Sequence, residues 1–298
     1  MKQEPKSAFI AIVGCPNVGK SSILNRLLGE KVAIVSPKPQ TTRTRILGVL
    51  TQNETQLVFT DTPGYHKPQT KLGEKMVKAV SAGLHDVDAC LLVTEPGGEI
   101  RDAEKTLIKK IQKENVPAVL AINKTDTVEE KPKLLTRIAQ FAALYDFAAI
   151  VPVSARTGDG MDELLEELKK LSVPCEHFFA DDTLTDQPEK ALAAEYIREK
   201  LLIYLDDEIP HGVAVAIERF KEREDADILD IDATIYCEKE NHKGIIIGKN
   251  GAMLKKVSTG ARVELEKFFQ IKVNLHCWVK VKEDWRNREG LIRNFGLD

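Results

Sequence analysis

The 298-residue chain is longer than one ordinary domain, so two units that each bury a core are the starting expectation. Hydrophobic residues make up 43% and charged residues 30%, the balance of a soluble globular protein, and no apolar run is long enough to span a bilayer. A net charge of −3 excludes a generic polyanion binder, so any nucleic-acid surface must be local. The N-terminal stretch runs straight into a glycine motif and carries no cleavage-site pattern, so a cytoplasmic protein is the expectation. The five cysteines and six histidines are scattered, without metal-ligand spacing, and no catalytic or zinc role is assigned to them.

From residue 8 to about 172, short apolar runs alternate with amphipathic stretches. AFIAIV, QLVFT, DACLLV, PAVLAI and AIVPV predict buried strands. KSSILNRLLG, EKTLIKKIQKE and MDELLEELKKL predict crossover helices. The fold class is an α/β P-loop domain, a mainly parallel sheet with helices on both faces. Residues 1–175 are assigned to it, and residues 176–188, rich in aspartate and closed by a proline, to a linker.

Residues 189–298 form the second domain, of α+β type. It begins with a helix from about 188 to 205, followed by the strands VAVAIERF and ILDIDATIYCE. In the latter, Leu229, Ile231, Ala233, Ile235 and Cys237 share one face, and Asp230, Asp232, Thr234 and Tyr236 the other. The last strand, IKVNLHCWVKV, alternates in the same way, so the sheet is expected to bury one face and wet the other.

GCPNVGKS at 14–21 matches G-x-x-x-x-G-K-[ST] directly after a predicted strand and before a predicted helix. Gly14 and Gly19 let the backbone of Cys15, Pro16, Asn17, Val18 and Ser22 wrap phosphate groups at a helix N-terminus. Lys20 would bridge the β- and γ-phosphates, and Ser21 would ligate Mg²⁺. Asp61, Thr62, Pro63 and Gly64 form DTPG at a strand end, where Asp61 can hold the metal and the Gly64 amide can meet the γ-phosphate. Asn123, Lys124 and Asp126 of NKTD, and Ser154 with Ala155, follow two further strands on the same sheet edge.

These motifs resemble the translation-factor-related family of small GTPases. The resemblance implies that Asp126 accepts hydrogen bonds from guanine, that the stem of Lys124 packs on the base, and that the Ala155 amide meets the guanine oxygen. Within QTTRTR a threonine is expected to close on Mg²⁺ with GTP bound, Thr42 being preferred to Thr41. Tyr65 stands where many signalling GTPases place a water-orienting glutamine. That departure and the P-N-V-G-K-S loop resemble a potassium-activated subgroup, which implies that Asn17 helps bind K⁺ and that slow hydrolysis is stimulated by it. Lys20, Asn17, Thr42 and Gly64 are the catalytic candidates.

In the second domain, GIIIGKNG contains a G-x-x-G step ahead of a helix with Leu254, Val257, Ala261, Leu265 and Phe268 on one stripe. Residues 239–282 carry ten Lys and Arg against three Glu, a local excess of seven positive charges. The element order resembles a type II KH domain, which implies single-stranded RNA at Ile246, Ile247, Gly248, Lys249, Asn250, Gly251 and Lys255. Residues 8–290 together resemble the bacterial TrmE-Era-EngA-like GTPases that end in such a domain. That resemblance implies GTP and GDP as ligands, the 3′ end of 16S rRNA and the 30S subunit as partners, and a role in ribosome assembly. A nucleotide-gated RNA-binding checkpoint with negligible turnover is the competing reading. A tRNA-modification GTPase is disfavoured by an ending, NFGLD, without a reactive cysteine. The second-domain lysines also leave open a peripheral contact with anionic lipid at the inner face of the cell membrane.

Overall fold

The structure, a computed structural model, describes residues 4–65, 68, 70–129 and 131–297. Chain order runs β1 (Lys6–Gly14), α1 (Lys20–Leu28), β2 (Ile46–Gln52), β3 (Thr55–Asp61), α2 (Lys71–Ala82), β4 (Ala89–Thr94) and α3 (Asp102–Glu114). It continues through β5 (Ala118–Ile122), α4 (Lys131–Ala142), β6 (Ala149–Pro152), α5 (Met161–Lys169) and β7 (Val173–Pro174). Then come α6 (Glu189–Tyr204), β8 (Ala214–Glu222), β9 (Ile228–Cys237), α7 (Glu240–Ile247), α8 (Ala252–Phe269), β10 (Lys272–Val281) and α9 (Glu289–Asn294). Two compact units result: residues 1–33, 42–68 and 75–186, and residues 34–41, 69–74 and 187–298.

In the first unit the sheet order is β2-β3-β1-β4-β5-β6, with the short β7 antiparallel to β1. The path from β3 to β6 is parallel throughout. Parallel strands need crossovers, and the crossover helices cover both faces, so the central strands are apolar on both sides. Ile10, Ile12, Leu91 and Val93 face α1 and α5, through Ile23, Leu24, Leu164 and Leu168. Ala11, Val13, Cys90 and Leu92 face the opposite layer of Val80, Leu107, Ile111 and Phe141. Two strands escape the apolar-run reading, the short β7 and β2, which forms an antiparallel hairpin with β3, turning where Asn53 adopts the left-handed conformation (φ 53°).

A buried ion pair ties the carboxyl end of β4 to the helical layer. Glu104 on α3 and Arg137 on α4 are 1% and 2% exposed and meet at 3.1 Å. Burial alone would raise the Glu104 carboxyl, but the Thr94 hydroxyl, the Arg101 amide and the two guanidiniums outweigh it and hold it below the usual range. Arg137 also donates to the carbonyls of Glu95 and Gly98, both at 3.2 Å, fixing the loop after β4.

The second unit is a three-stranded sheet, β10-β9-β8, with β10 parallel and β8 antiparallel to β9. Ala233, Ile235 and Cys237 meet Ile197 and Leu201 of α6, Ile246 of α7 and Val257 and Ala261 of α8 in one core. The other face is not uniformly wet. Asp230 is buried beneath Arg219, Arg223 and Asn274, and Phe295 lies 4.9 Å from the ring of Tyr236. Also inside this unit, the Arg198 guanidinium donates to the Thr41 carbonyl, and the Val35 amide donates to Glu199 Oε1 at 2.8 Å.

Removing one partner of a buried pair leaves the other charge uncompensated. Glu104→Ala is expected to lower the stability of the first unit by about 3–5 kcal/mol, measured by chemical denaturation.

Candidate functional site

The phosphate loop, DTPG, NKTD and Ser154–Ala155 lie at the carboxyl ends of strands or directly after them, whereas Thr42 lies on the segment between α1 and β2. Residues 14–19 leave β1 and end at the N-terminus of α1, where Gly19 has φ 98° and a side chain would strike the Asn123 amide. That crowding, together with the left-handed backbone, restricts the position to glycine. The side chains of Cys15 and Val18 are buried in the core, so these two residues have only backbone groups to offer a phosphate. Thr62 likewise turns inward, its hydroxyl donating to the Ile12 carbonyl at 2.8 Å, and Pro63 is buried.

The centre of the site is a buried oxygen cluster. Asp61 Oδ2 accepts from Ser21 Oγ at 2.7 Å and from Thr42 Oγ1 at 3.3 Å, and the two hydroxyls are 2.9 Å apart. Asp61 is 0% exposed and its Oδ1 has no hydrogen-bond partner among the described residues. Thr41 is directed elsewhere, with its hydroxyl on the Lys38 carbonyl at 2.7 Å and on Ser36 Oγ at 2.8 Å. Beside the cluster, Lys20 is 6% exposed and donates to the carbonyls of Gly14 and Cys15, at 3.3 and 3.1 Å. Burial lowers the Lys20 ammonium and raises the Asp61 carboxyl, while their mutual attraction opposes both shifts. Three oxygen donors, one of them an orphaned buried carboxylate atom, suit a hard divalent cation such as Mg²⁺.

A cavity of about 480 Å³ adjoins this cluster, lined by Gly19, Ser22, Asn123, Lys124, Asp126 and Ala155 among others. Asn123 joins the phosphate loop to the Ser154–Ala155 turn, donating to the Val18 carbonyl at 2.9 Å and accepting from the Ala155 amide at 3.0 Å. Asp126 accepts from the Ser154 hydroxyl at 2.5 Å and pairs with the exposed Arg156 guanidinium. The Ser154 hydrogen bond, then Arg156, hold its carboxyl below the usual range. A guanidinium presents adjacent in-plane N–H donors, the same pattern that a guanine edge offers to a carboxylate. Lys124, at φ 68°, reaches the Asn17 carbonyl at 2.7 Å and Glu95 at 2.5 Å. Glu95 and Arg156 went unmarked in the sequence; the position of Glu95 just after β4, on the shared sheet edge, was the available signal.

In the second unit, α7 ends at Gly248 (φ 72°), Asn250 and Gly251 are left-handed, and α8 starts at Ala252. A Cβ on Gly248 would lie 2.8 Å from that of Met253, so the turn closes tightly and exposes Lys249 and Asn250. Lys255 is exposed and Ile247 half-buried beside them. Ile246 is a correction: it is 0% exposed in the core with Val257 and Ala261, and its side chain cannot touch RNA. Helical geometry turns Ile245 outward instead, at 48% exposure.

A phosphate loop, a buried oxygen cluster and a carboxylate-bearing base pocket on one sheet edge, with a G-x-x-G turn in a second unit, define a P-loop GTPase carrying a KH-type domain. Residues 9–124 match the family described as 50S ribosome-binding GTPase, and residues 208–286 match the KH domain. The chain is 49% identical to GTPase Era of Ruminiclostridium cellulolyticum, over 98% of this chain and 97% of that protein. It is 47% identical to GTPase Era of Clostridioides difficile, over 98% and 99%. A solved Aquifex aeolicus Era variant bound to GDP.AlF4- superposes with a TM-score of 0.94 at 39% identity, covering 98% of this chain and 99% of that one. A second Era structure, in complex with MgGDPNP and nucleotides 1506–1542 of 16S ribosomal RNA, gives the same score, identity and coverage. The chain belongs to the GTPase Era family.

The two neighbouring threonines separate experimentally. Thr42→Ala should lower Mg²⁺-dependent GTP hydrolysis about 100-fold, as for loss of one transition-state ligand, and Thr41→Ala should change it less than about threefold. Single-turnover phosphate release at varied Mg²⁺ measures both.

Proposed function

We propose that this GTPase is a cytoplasmic switch that binds 16S rRNA near its 3′ end through the second unit and acts in assembly of the 30S subunit. The observation that carries the hydrolytic half is the buried Asp61–Ser21–Thr42 cluster beside Lys20. Ser21, Thr42 and Asp61 would hold Mg²⁺, directly or through water. When bound, that ion neutralises charge on the phosphate oxygens. Lys20 adds a second positive charge from a site where burial strengthens it. Amides of the phosphate loop and of Gly64 orient the phosphates, while Asp126 selects guanine, since adenine would leave a desolvated carboxylate unpaired.

Hydrolysis is slow in this reading because no side-chain amide follows DTPG. The amide N–H of Tyr65 donates to the Gly14 carbonyl at 3.2 Å, and its ring lies under Lys110 at 4.6 Å, so the residue braces the loop and does not orient water. Asn17, exposed and left-handed (φ 63°) in the phosphate loop, is the residue we assign to K⁺. Multiple-turnover phosphate release is expected to run about tenfold or more faster in K⁺ than in Na⁺, and Asn17→Ala is expected to equalise the two salts. Release limited to one turnover in either salt would instead mark a nucleotide-gated binding module.

For the RNA half, the exposed Lys249, Asn250 and Lys255 around the tight G-x-x-G turn support backbone contact with a single strand. A paired Gly248→Asp and Gly251→Asp substitution puts two carboxylates against phosphate. It should weaken binding of a 3′-end RNA oligonucleotide by about 100-fold or more and leave GTP affinity unchanged, as read by anisotropy and nucleotide titration.

A further inference from the structure

The alternation of β10 leaves a second set of side chains that the G-x-x-G turn does not use. Val273, Leu275, Cys277, Val279 and Val281 point into the cores beneath α7 and α8. Lys272, Asn274, His276, Trp278 and Lys280 therefore point to the opposite face, roughly 6.6–6.8 Å apart along the strand. Trp278 is 50% exposed, and His276 stacks beside it with ring centroids 6.1 Å apart and planes at 27°. Lys272, Lys280 and Lys282 are exposed, and this face of the strand carries no acid. On the neighbouring strand Asp230 is already bound by Arg219, Arg223 and Asn274, and Arg219 sits in register opposite Asp232. Phe295 packs on Tyr236, which lies in register beside Lys280, one step along the strand from the Thr234–Trp278 pair.

We infer that the Trp278–His276 platform, with Lys280 and Lys282, is a second RNA-contact surface that stacks an unpaired base and holds its phosphates. The proposal rests on the reading of the second unit as RNA-binding and extends it to the sheet face away from α7 and α8. Exposed aromatic rings flanked by cations bind single strands by stacking and charge together. Because β10 is the edge of the sheet, an RNA chain leaving the turn can pass around it without crossing a covered strand. A bilayer anchor would surround the indole with further apolar groups, whereas the flanking residues on this face are His276 and Lys280.

The protein supplies its own reporter. Of its two tryptophans, Trp285 is 0% exposed with its indole N–H on the Gly212 carbonyl at 2.9 Å, so Trp278 is the one that solvent and RNA can reach. The test compares short (about 8-nucleotide) and long (about 24-nucleotide) single-stranded RNAs sharing one 3′ sequence. Trp278→Ala should weaken the long RNA about tenfold or more and the short RNA less than about twofold. RNA should quench the tryptophan emission of the unsubstituted protein, and Trp278→Phe should keep the affinity but lose that quenching. Lys280→Glu with Lys282→Glu should weaken the long RNA and flatten its salt dependence. Unchanged long-RNA affinity in the alanine and glutamate variants would overturn this surface while leaving the G-x-x-G reading intact. Quenching by phosphatidylglycerol vesicles but not by RNA would assign the surface to lipid and overturn it. Failure of the unsubstituted protein to bind either RNA would remove both readings.

Discussion

A carboxylate with no exposed surface, Asp61, sets the terms for the first unit. An ionised group taken out of water must be compensated, and here two hydroxyls satisfy one oxygen while Lys20 supplies the nearby charge. The second oxygen has no partner among the described residues, which leaves a strong acceptor buried beside the two hydroxyls. In the proposed reading, phosphates bring the negative charge that Lys20, the loop amides and Mg²⁺ would meet.

The proposed base pocket depends on a different set of bonds. Asn123 spans the phosphate loop and the Ser154 turn, and the pocket floor, Asp126, is held by Ser154. Lys124 is anchored by Glu95, whose own backbone is fixed by Arg137, and Arg137 in turn pairs with Glu104. Stability and recognition are therefore linked: the same buried guanidinium that joins α3 to α4 also steadies the loop bearing the partner of Lys124.

The second unit shows how a one-sided sheet yields two distinct surfaces. Period-two alternation sends β10 residues to opposite faces, one packed beneath α7 and α8 and the other open. The helical face ends in the G-x-x-G turn, whose positive φ angles no β-branched residue would accept. The open face is partly closed by its own chain, through Asp230 with its two arginines and through Phe295 on Tyr236, and its remainder carries the exposed His276, Trp278 and Lys280 beside the half-buried Asp232.

Local pattern made the α/β class, the five parallel strands and three of the helices of the first unit, the main elements of the second, and the family legible from the sequence. Those features reside in spacing: apolar runs for doubly covered strands, alternation for a half-covered sheet, and glycines where only glycine fits. Strand β2 was not legible, because its interrupted apolar run acquires meaning only when paired with β3. Ile246 was misread for a related reason. Three consecutive isoleucines look equivalent along a chain, and only the turn of α7 against the core decides that Ile246 is buried while Ile245 faces water. Thr41 and Thr42 differ in the same manner, their hydroxyls sent to Lys38 and to Asp61 by a backbone that motif spacing does not specify. Sequence by itself determined which chemical groups are present and in what order; tertiary packing decided which are buried, which meet, and which remain free to meet a ligand, because burial and direction belong to three-dimensional contacts and not to neighbours along the chain.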